Sequence, residues 1–570
     1  MKSIESILKS YWGYDAFRPQ QLAVIKAVLD KKDTLALLPT GAGKSICFQI
    51  PTLYTEGVCL VISPLIALMQ DQVKDLQSKH IQAIALGGHL SEEAQFEVMA
   101  AAKRGKYKFI YCSPEKLAQK QFQEDIAAVK ITLIAIDEAH CISQWGYDFR
   151  PPYRRLSILK TIFPTTPILA MTASAIPVVQ KDIVTQLALS NEQIITDSFL
   201  RPNLKYSIRK VPVKLHSLTG LLQSLQGAAI IYCNTRNNVT QLAKLLADYG
   251  FPVAAYHAGM PNEERQKVQA SWMKDHTPIV VCTSAFGMGI NKGNVRLVVH
   301  YEIPGSIEQY YQEAGRAGRD GQLADAVLLY QQNDWDYWIQ VQEKKYPSIE
   351  LIKKAYQNLA DFVQLPIGMG EKQQFIFDFE NYCTVFKWDK IIARNALNWI
   401  QQEGHIRFSE SAFTPSMVQV LGDRYSIEQI QESKPDTGAV LQTLLRSYGG
   451  ILDSPHFINE QLLASLLQRD ITFVTQHLQL LQAHGLISYE QKQNQPVVQF
   501  MWNRSSASFM KIDFDHYQLM KKAFIERIQH FIGYLQGHPS ICRSVYLAKY
   551  FGEKGSKPCG ICDICTSTKE

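Results

Sequence analysis

Residues 40–45 read Thr-Gly-Ala-Gly-Lys-Ser, directly behind an apolar run at 34–39 and ahead of a helix-like stretch. That context makes them a phosphate-binding loop. Gly41 and Gly43 let the backbone wrap its N–H groups around phosphate oxygens, with Thr40 and Ala42 completing the turn, and the helix N-terminus behind them adds positive potential. Lys44 is expected to contact the β- and γ-phosphates, and the Ser45 hydroxyl to bind Mg2+. Leu38 stands where the longer form of this loop has its first glycine, so the loop is the shortened kind. Further on, the run at 133–137 ends in Asp137-Glu138-Ala139-His140. A carboxylate at the edge of a strand can hold Mg2+ through water, and a second one beside it can orient and deprotonate an attacking water. Asp137 is assigned to the metal and Glu138 to the water. Together the two segments imply ATP hydrolysis.

A second chemistry sits at the other end. Cys542 is followed by Cys559, Cys562 and Cys565. Four thiolates with C-x-x-C-x-x-C spacing suit a tetrahedral structural Zn2+ with no open position for catalysis. The other seven cysteines are scattered, and those such as Cys47 and Cys59 in apolar runs read as small buried hydrophobes.

The elements that must position these groups are legible as short apolar strands. Runs at 34–39, 59–64, 109–114, 133–137 and 168–173 alternate with helical stretches, and runs at 228–233, 252–257, 278–283 and 295–301 repeat the pattern. Strands alternating with helices imply parallel, doubly wound α/β sheets, and two blocks in series imply two such domains. From about 345 the pattern changes to helices with short β pairs. The 570 residues carry 59 Lys+Arg against 53 Asp+Glu, net +6, too weak a bias to identify a nucleic-acid binder by charge. No signal peptide and no membrane span of ~20 apolar residues is visible, so a cytoplasmic protein with reduced cysteines and no membrane partner is expected.

At this point the residues resemble the RecQ DNA helicases, over roughly 8–335 and again over 525–566. The resemblance implies two tandem RecA-like motor domains, 1–200 and 201–345, winged-helix-like modules at 346–435 and 436–515, and a zinc module at 516–570. Tyr14 through Gln21 looks like the family's adenine-recognition motif, in which Tyr14 would stack on the base, Gln21 would bond its edge and Arg18 would support it. Residues 141–151 look like the aromatic-rich loop, with Trp145, Tyr147, Phe149 and Arg150 facing single-stranded DNA or coupling it to the ATP site. Residues 283–291, beginning at Thr283, resemble the motif that links DNA to the cleft. Residues 312–321 resemble the arginine-finger motif, with Arg319 as the finger and Arg316 as its companion, an arrangement worth about 10³–10⁵ in rate. Ser63, Ser113, Asn234 and Arg236 follow strands as the family's backbone-contacting motifs do. The implied activity is ATP-dependent 3′-to-5′ unwinding of DNA, in recombination and repair. An RNA helicase, or a nucleic-acid-stimulated translocase that does not separate strands, is the alternative.

Two departures stand out. Family members usually carry histidine where this chain has Tyr147. The family also usually places a winged helix behind the zinc module, whereas here five residues follow Cys565 and some 180 residues precede the module instead. Within that stretch, 396–408 and 477–489 form a weak repeat, each an amphipathic helix ended by glycine and entering a strand, with Asp389 and Asp470 as expected N-caps. Charges there nearly balance, with a slight acidic excess. Two readings follow: a module that faces the DNA fork through aromatic and local contacts, or a structural or partner-binding spacer.

Overall fold

A computed structural model describes residues 3–86, 92–287, 292–409, 416–448, 450–452, 456–490, 496–537 and 541–567. The chain forms two compact units, Met1–Ile339 with Gln518–Glu570, and Gln340–Tyr517.

In the first unit, β1 (Thr34–Leu37), β2 (Val58–Ile62), β3 (Ala83–Leu86), β4 (Phe109–Cys112), β5 (Ile131–Ile136), β6 (Ile168–Thr172) and β7 (Gln193–Thr196) form a parallel sheet in the order β3-β4-β2-β5-β6-β1-β7. A second parallel sheet contains β8 (Leu204–Lys210), β9 (Ala228–Tyr232), β10 (Val253–Tyr256), β11 (Ile279–Cys282), β12 (Val295–His300) and β13 (Ala324–Tyr330), ordered β10-β11-β9-β12-β13-β8. The inner strands are apolar on both faces because helices cover both, as parallel sheets require. One continuous core joins Leu60 and Ile136 of the first sheet, Ile230 and Val298 of the second, and Phe531, Tyr534 and Phe551 of the terminal module. Among the described residues no helix is long and apolar enough to cross a membrane.

The nine sequence-expected runs are all strands. Four further strands were not anticipated. β3, β7 and β8 are edge strands; polar residues interrupt β7 and β8, and β3 is the short apolar run Ala83–Leu86. β13 is internal and largely buried.

The second unit holds two three-stranded antiparallel sheets with helices: β14 (Gln374–Ile376), β15 (Ile406–Ser409), β16 (Ser416–Val420), β17 (His456–Ile458), β18 (Ile487–Glu490) and β19 (Val497–Phe500), ordered β14-β19-β15 and β17-β16-β18. The first module comprises the helices Ile349–Phe362, Phe379–Val385 and Lys390–Gln402 with β14, β15 and β19. The second comprises Pro435–Ser447, Glu460–Leu467 and Ile471–Ala483 with β16, β17 and β18. Each is a helix–strand–helix–helix–strand arrangement with one central strand added, the winged-helix plan. The Asp389 side chain accepts from the backbone of Ile391 and Ile392, and Asp470 from Phe473, capping the two third helices. Gly404 and Gly485 follow them at φ +75 and +69, the left-handed conformation that ends a helix without strain.

The modules are not successive in sequence. β16, at 416–420, is the central strand of the second sheet, and β19, at 497–500, is the central strand of the first. The second module is therefore inserted between the two wing strands of the first, and its own central strand comes before its helices rather than after them. Only a strand pairing between distant segments makes this nesting visible, which is why a division at 435/436 does not follow it.

Ser409 and Val497 face each other across the β15–β19 pair, so a two-residue turn can join them. Replacing residues 410–496 by Asn-Gly, a type I′ hairpin turn, is expected to leave the first module and the motor unit folded. Thermal unfolding within about 4 °C of the parent, on the scale of roughly 1 kcal/mol, supports the nesting; aggregation of the shortened chain would count against it.

Candidate active site and metal centre

β1 ends in the loop 38–45. Gly41 and Gly43 have φ +83 and +76, and a Cβ on Gly43 would lie 2.4 Å from Gln21 Nε2. Glycine is required there for both conformation and approach. Gln21 and Arg18 form a capping box at the start of the helix Pro19–Leu29. From it, Gln21 Nε2 donates to Ala42 O (2.8 Å) and Arg18 Nη1 to Gly41 O (2.8 Å). These two side chains fasten the phosphate loop to the preceding helix. Tyr14, 57% exposed, stands in the same cleft. Lys44 Nζ lies 3.5 Å from Leu38 O. Ser45 caps the helix Ile46–Tyr54 without a side-chain capping bond, which leaves its hydroxyl for another ligand.

The cleft, about 990 Å3, also takes in Asp137 and Glu138 from the end of β5 and Arg316 and Arg319 from the second domain. Glu138 has φ +47, which turns the chain sharply behind the strand. Burial, reinforced by the neighbouring Glu138 charge and opposed by Lys44, pushes the Asp137 carboxyl up to about 6. Glu138 Oε2 is buried, 3.3 Å from His140 Nδ1, and makes no hydrogen bond, because that nitrogen is committed to Thr172 Oγ1 at 2.8 Å. Burial lowers His140 to about 4, so its ring is neutral. A carboxylate short of positive charge, a buried carboxylate oxygen with no partner and an unused hydroxyl fit a divalent cation and an activated water.

The second domain contributes the segment behind the helix Ile307–Ala314. A Cβ on Gly41 would lie 3.2 Å from Arg319 Cγ, so Arg319 packs directly on the phosphate loop. Burial, then repulsion from Arg316 and Arg201, pushes Arg319 down to about 9. Arg316 points differently and donates to Gly287 O. Arg201 was not anticipated. It donates to Gly315 O (3.0 Å) and Ala317 O (2.9 Å), with Thr40 O at 3.5 Å. Its only sequence signal is its place at the expected boundary between the two domains, at 200/201.

The aromatic-rich loop lies beside this cleft. Tyr147 stacks on His140, with centroids 5.1 Å apart and planes at 14°. Its hydroxyl lies toward Ser174, and Ser174 Oγ accepts from Gln312 Nε2 of the second domain at 2.7 Å. Arg150 pairs with Asp148 (3.2 Å) and donates to Pro64 O (3.2 Å), next to the buried Ser63. Trp145 and Phe149 are part-buried rather than fully presented. Asn234 and Thr283 follow β9 and β11, and Ser63 follows β2, all at the carboxyl edges of the sheets where open α/β folds bind ligands. Asn234 Nδ2 donates to Ile303 O (2.9 Å), Thr283 Oγ1 accepts from Ala285 N (3.4 Å), and Arg236 begins the helix Arg236–Asp248. Residues 288–291 of that motif lie outside the described residues.

At the C-terminus the Sγ atoms of Cys542, Cys559, Cys562 and Cys565 all lie within 4.8 Å of one another. Cys542 is 3.3 Å from Cys559 and 3.8 Å from Cys562. Zn–S bonds of about 2.3 Å in a tetrahedron put sulfurs roughly 3.8 Å apart, so the four thiolates fit zinc. The site is tied to the second domain through Asp563, which pairs with Arg543 (3.0 Å) and accepts from Ile208 N of β8 (3.0 Å).

Family models match along the chain: DEAD/DEAH box helicase at 18–182, helicase conserved C-terminal domain at 213–321, RecQ helicase winged-helix domain (Bacteroidota) at 418–491 and RecQ zinc-binding at 498–566. The third match coincides with the inserted module. The ATP-dependent DNA helicase RecQ of Haemophilus influenzae is 45% identical over 363 residues, covering 63% of this chain and 58% of that protein. The Bacillus subtilis protein of the same name is 39% identical over 364 residues, covering 63% and 61%. This chain thus spans about six tenths of the curated relatives it matches. Among solved structures, the DUF1998 helicase MrfA bound to DNA superposes with a TM-score of 0.50 at 18% identity, over 59% of this chain and 50% of that one, a likeness of fold. Two parallel α/β sheets, a phosphate loop, an arginine segment and a four-cysteine centre meet in one chain, which is similar along most of its length to the RecQ helicases.

Proposed function

We propose that this protein is an ATP-driven DNA helicase that translocates 3′-to-5′ along single-stranded DNA and separates duplexes, acting in recombination and repair in the cytoplasm. The observation that carries the reading is Arg319, an arginine of the second domain packed directly on the phosphate loop of the first. Such a group asks for a polyanion, and it completes the site only when both domains are together.

In this mechanism Lys44 and the backbone of 40–45 hold the phosphates of ATP, and Tyr14 stacks on the base, with Gln21 and Arg18 supporting the loop. Ser45 and Asp137 would hold Mg2+, which neutralises developing phosphate charge. Glu138, with a carboxylate oxygen free of hydrogen bonds, orients the attacking water and takes its proton. Arg319 stabilises the transferred phosphoryl group, and Arg316 links that event to the segment beginning at Thr283. Ser63, Trp145, Phe149, Arg150, Asn234 and Arg236 bind the tracking strand at the sheets' carboxyl edges. Tyr147, placed between His140 and the Ser174–Gln312 bond, reports strand occupancy to the cleft.

Glu138→Gln should lower DNA-stimulated ATPase by about 10²-fold or more, the size expected for loss of a positioned base, while ATP still binds. On tailed substrates the wild type should unwind a 3′-tailed duplex and leave blunt and 5′-tailed ones intact; stimulation by RNA alone, with no duplex DNA opened, would defeat the reading. Tyr147→Phe keeps the stacking ring and removes the hydroxyl, so the DNA-stimulated rate should fall more than the basal rate; equal loss of both, or of neither, argues against coupling. Elemental analysis should find one zinc per chain. Stripping it should lower the melting temperature, since a small module without much core depends on its metal; zinc-free protein with an unchanged melt would refute this.

A further inference from the structure

Several side chains of the terminal module contact parts of the motor far from it in sequence. Arg527, on the helix Phe514–Gln536, donates from Nη1 to the Trp145 backbone oxygen at 2.7 Å, within the aromatic-rich loop. Tyr550, on the helix Arg543–Tyr550, donates to Glu308 Oε1 at 2.7 Å. Glu308 is 3% exposed, and it lies on the second-domain helix Ile307–Ala314, whose Gln312 bonds Ser174 and which leads into Arg316 and Arg319. Glu553 accepts from Ser198 Oγ (2.9 Å) and Phe199 N (2.7 Å), in the segment joining the two domains. Phe551 stacks on Phe199 at 4.9 Å and 16°, and lies 4.8 Å from Tyr311 on the arginine-bearing helix.

These contacts are not distributed at random over the motor surface. One falls on the loop that follows the catalytic carboxylates, one on the helix that delivers the arginines, and one on the linker about which the domains must move. The Arg527 contact is directed at a backbone atom, so it fixes the path of the loop rather than the rotamer of one side chain. Arg527 also lies close enough to Tyr550 for its charge to act on that hydroxyl, which connects the first contact to the second.

We infer that Arg527 is a positioning residue for coupled ATP hydrolysis: it holds the aromatic-rich loop through Trp145, and the Tyr550–Glu308 bond carries the loop's position to the helix bearing Arg316 and Arg319. The zinc module is thereby a strut between the strand-facing loop and the arginines of the cleft. The inference rests on the DNA helicase reading and adds a role that neither the cysteines nor the motor motifs contain.

The test uses the full-length, zinc-loaded chain, with ATPase measured against increasing single-stranded oligodeoxythymidylate. Arg527→Ala should reduce the maximal fold-stimulation by about tenfold, the order expected for one charge-assisted hydrogen bond. The half-saturating DNA concentration should move by less than about twofold, because the loop is displaced and the strand contacts elsewhere remain. Zinc should stay at one per chain. Arg527→Lys should recover much of the stimulation, since one N–H donor reaches Trp145 O. Tyr550→Phe, which keeps the packed ring, should lower stimulation in the same direction. Basal and stimulated rates falling in proportion, or Lys serving no better than Ala, would overturn the inference in favour of a purely structural contact. A wild type stimulated by DNA with both variants equal to it overturns the inference alone; a wild type that no DNA stimulates removes the helicase reading and the inference together.

Discussion

Arg201, Arg316 and Arg319 crowd the seam where the two parallel-sheet domains meet, and burial, then repulsion from Arg316 and Arg201, lowers the preference of Arg319 for its charged form. The partners described for the first two are backbone carbonyls: Gly315, Ala317 and Thr40 for Arg201, and Gly287 for Arg316. Carbonyl dipoles satisfy N–H donors, but they do not neutralise net charge. Positive potential therefore accumulates along the seam, and a polyphosphate entering beside Lys44 offsets it. The seam is also sterically exacting. A Cβ on Gly315 would lie 2.2 Å from Thr40 Oγ1, so the backbone of the arginine segment must be bare where it touches the phosphate loop. Charge makes the closed cleft dependent on its ligand, and the missing side chain makes the closure close enough to matter.

That dependence gives the surrounding network its direction. The carboxylate pair is linked outward by contacts: Glu138 lies against His140, His140 bonds Thr172 and stacks on Tyr147, and Ser174 bonds Gln312. A neutral His140 suits this chain of contacts. A charged imidazolium beside Asp137 would compete with a metal for the carboxylate, and burial prevents it. Tyr147 extends the same logic. Its phenol remains protonated through the physiological range, since burial raises its pKa further.

What sequence made legible was local. The phosphate loop, the carboxylate pair, the four cysteines and the caps Asp389 and Asp470 are each defined by neighbours within a few residues, and the structure keeps those neighbours together. Most inner strands were visible because burial on both faces demands continuous apolar runs; the inner strand β13 was not, its run being interrupted by Asp325. The edge strands β7 and β8 were not, since polar residues on the solvent side break their runs, and β3 is only the short run Ala83–Leu86. Arg201 escaped because its partners are backbone carbonyls far along the chain, and carbonyls have no residue identity to match. For the same reason Gln21 and Arg18 read as base contacts by resemblance, while their hydrogen bonds in the structure run to Ala42 and Gly41 of the phosphate loop.

The nested winged helices show how such non-local information can still be encoded. The inserted module is contiguous from β16 to β18, so it can form without the rest of its unit. Once formed, it pairs Met417 with Glu490, which brings the two ends of the insertion to the roughly 5 Å spacing of an antiparallel pair. The first module needs that same spacing between Ser409 and Val497 to complete its sheet. Closing a free loop of some 87 residues costs more than closing one in which most of the chain is already folded back on itself, by about 2 kcal/mol on the logarithmic scale of loop entropy. The inserted module is thus placed to serve as a turn between the two wing strands of the first. Its acidic balance and the neutral exposed face of the helix Ile471–Ala483 are compatible with that scaffold role, because a turn needs to hold two strands together and does not need to hold phosphate.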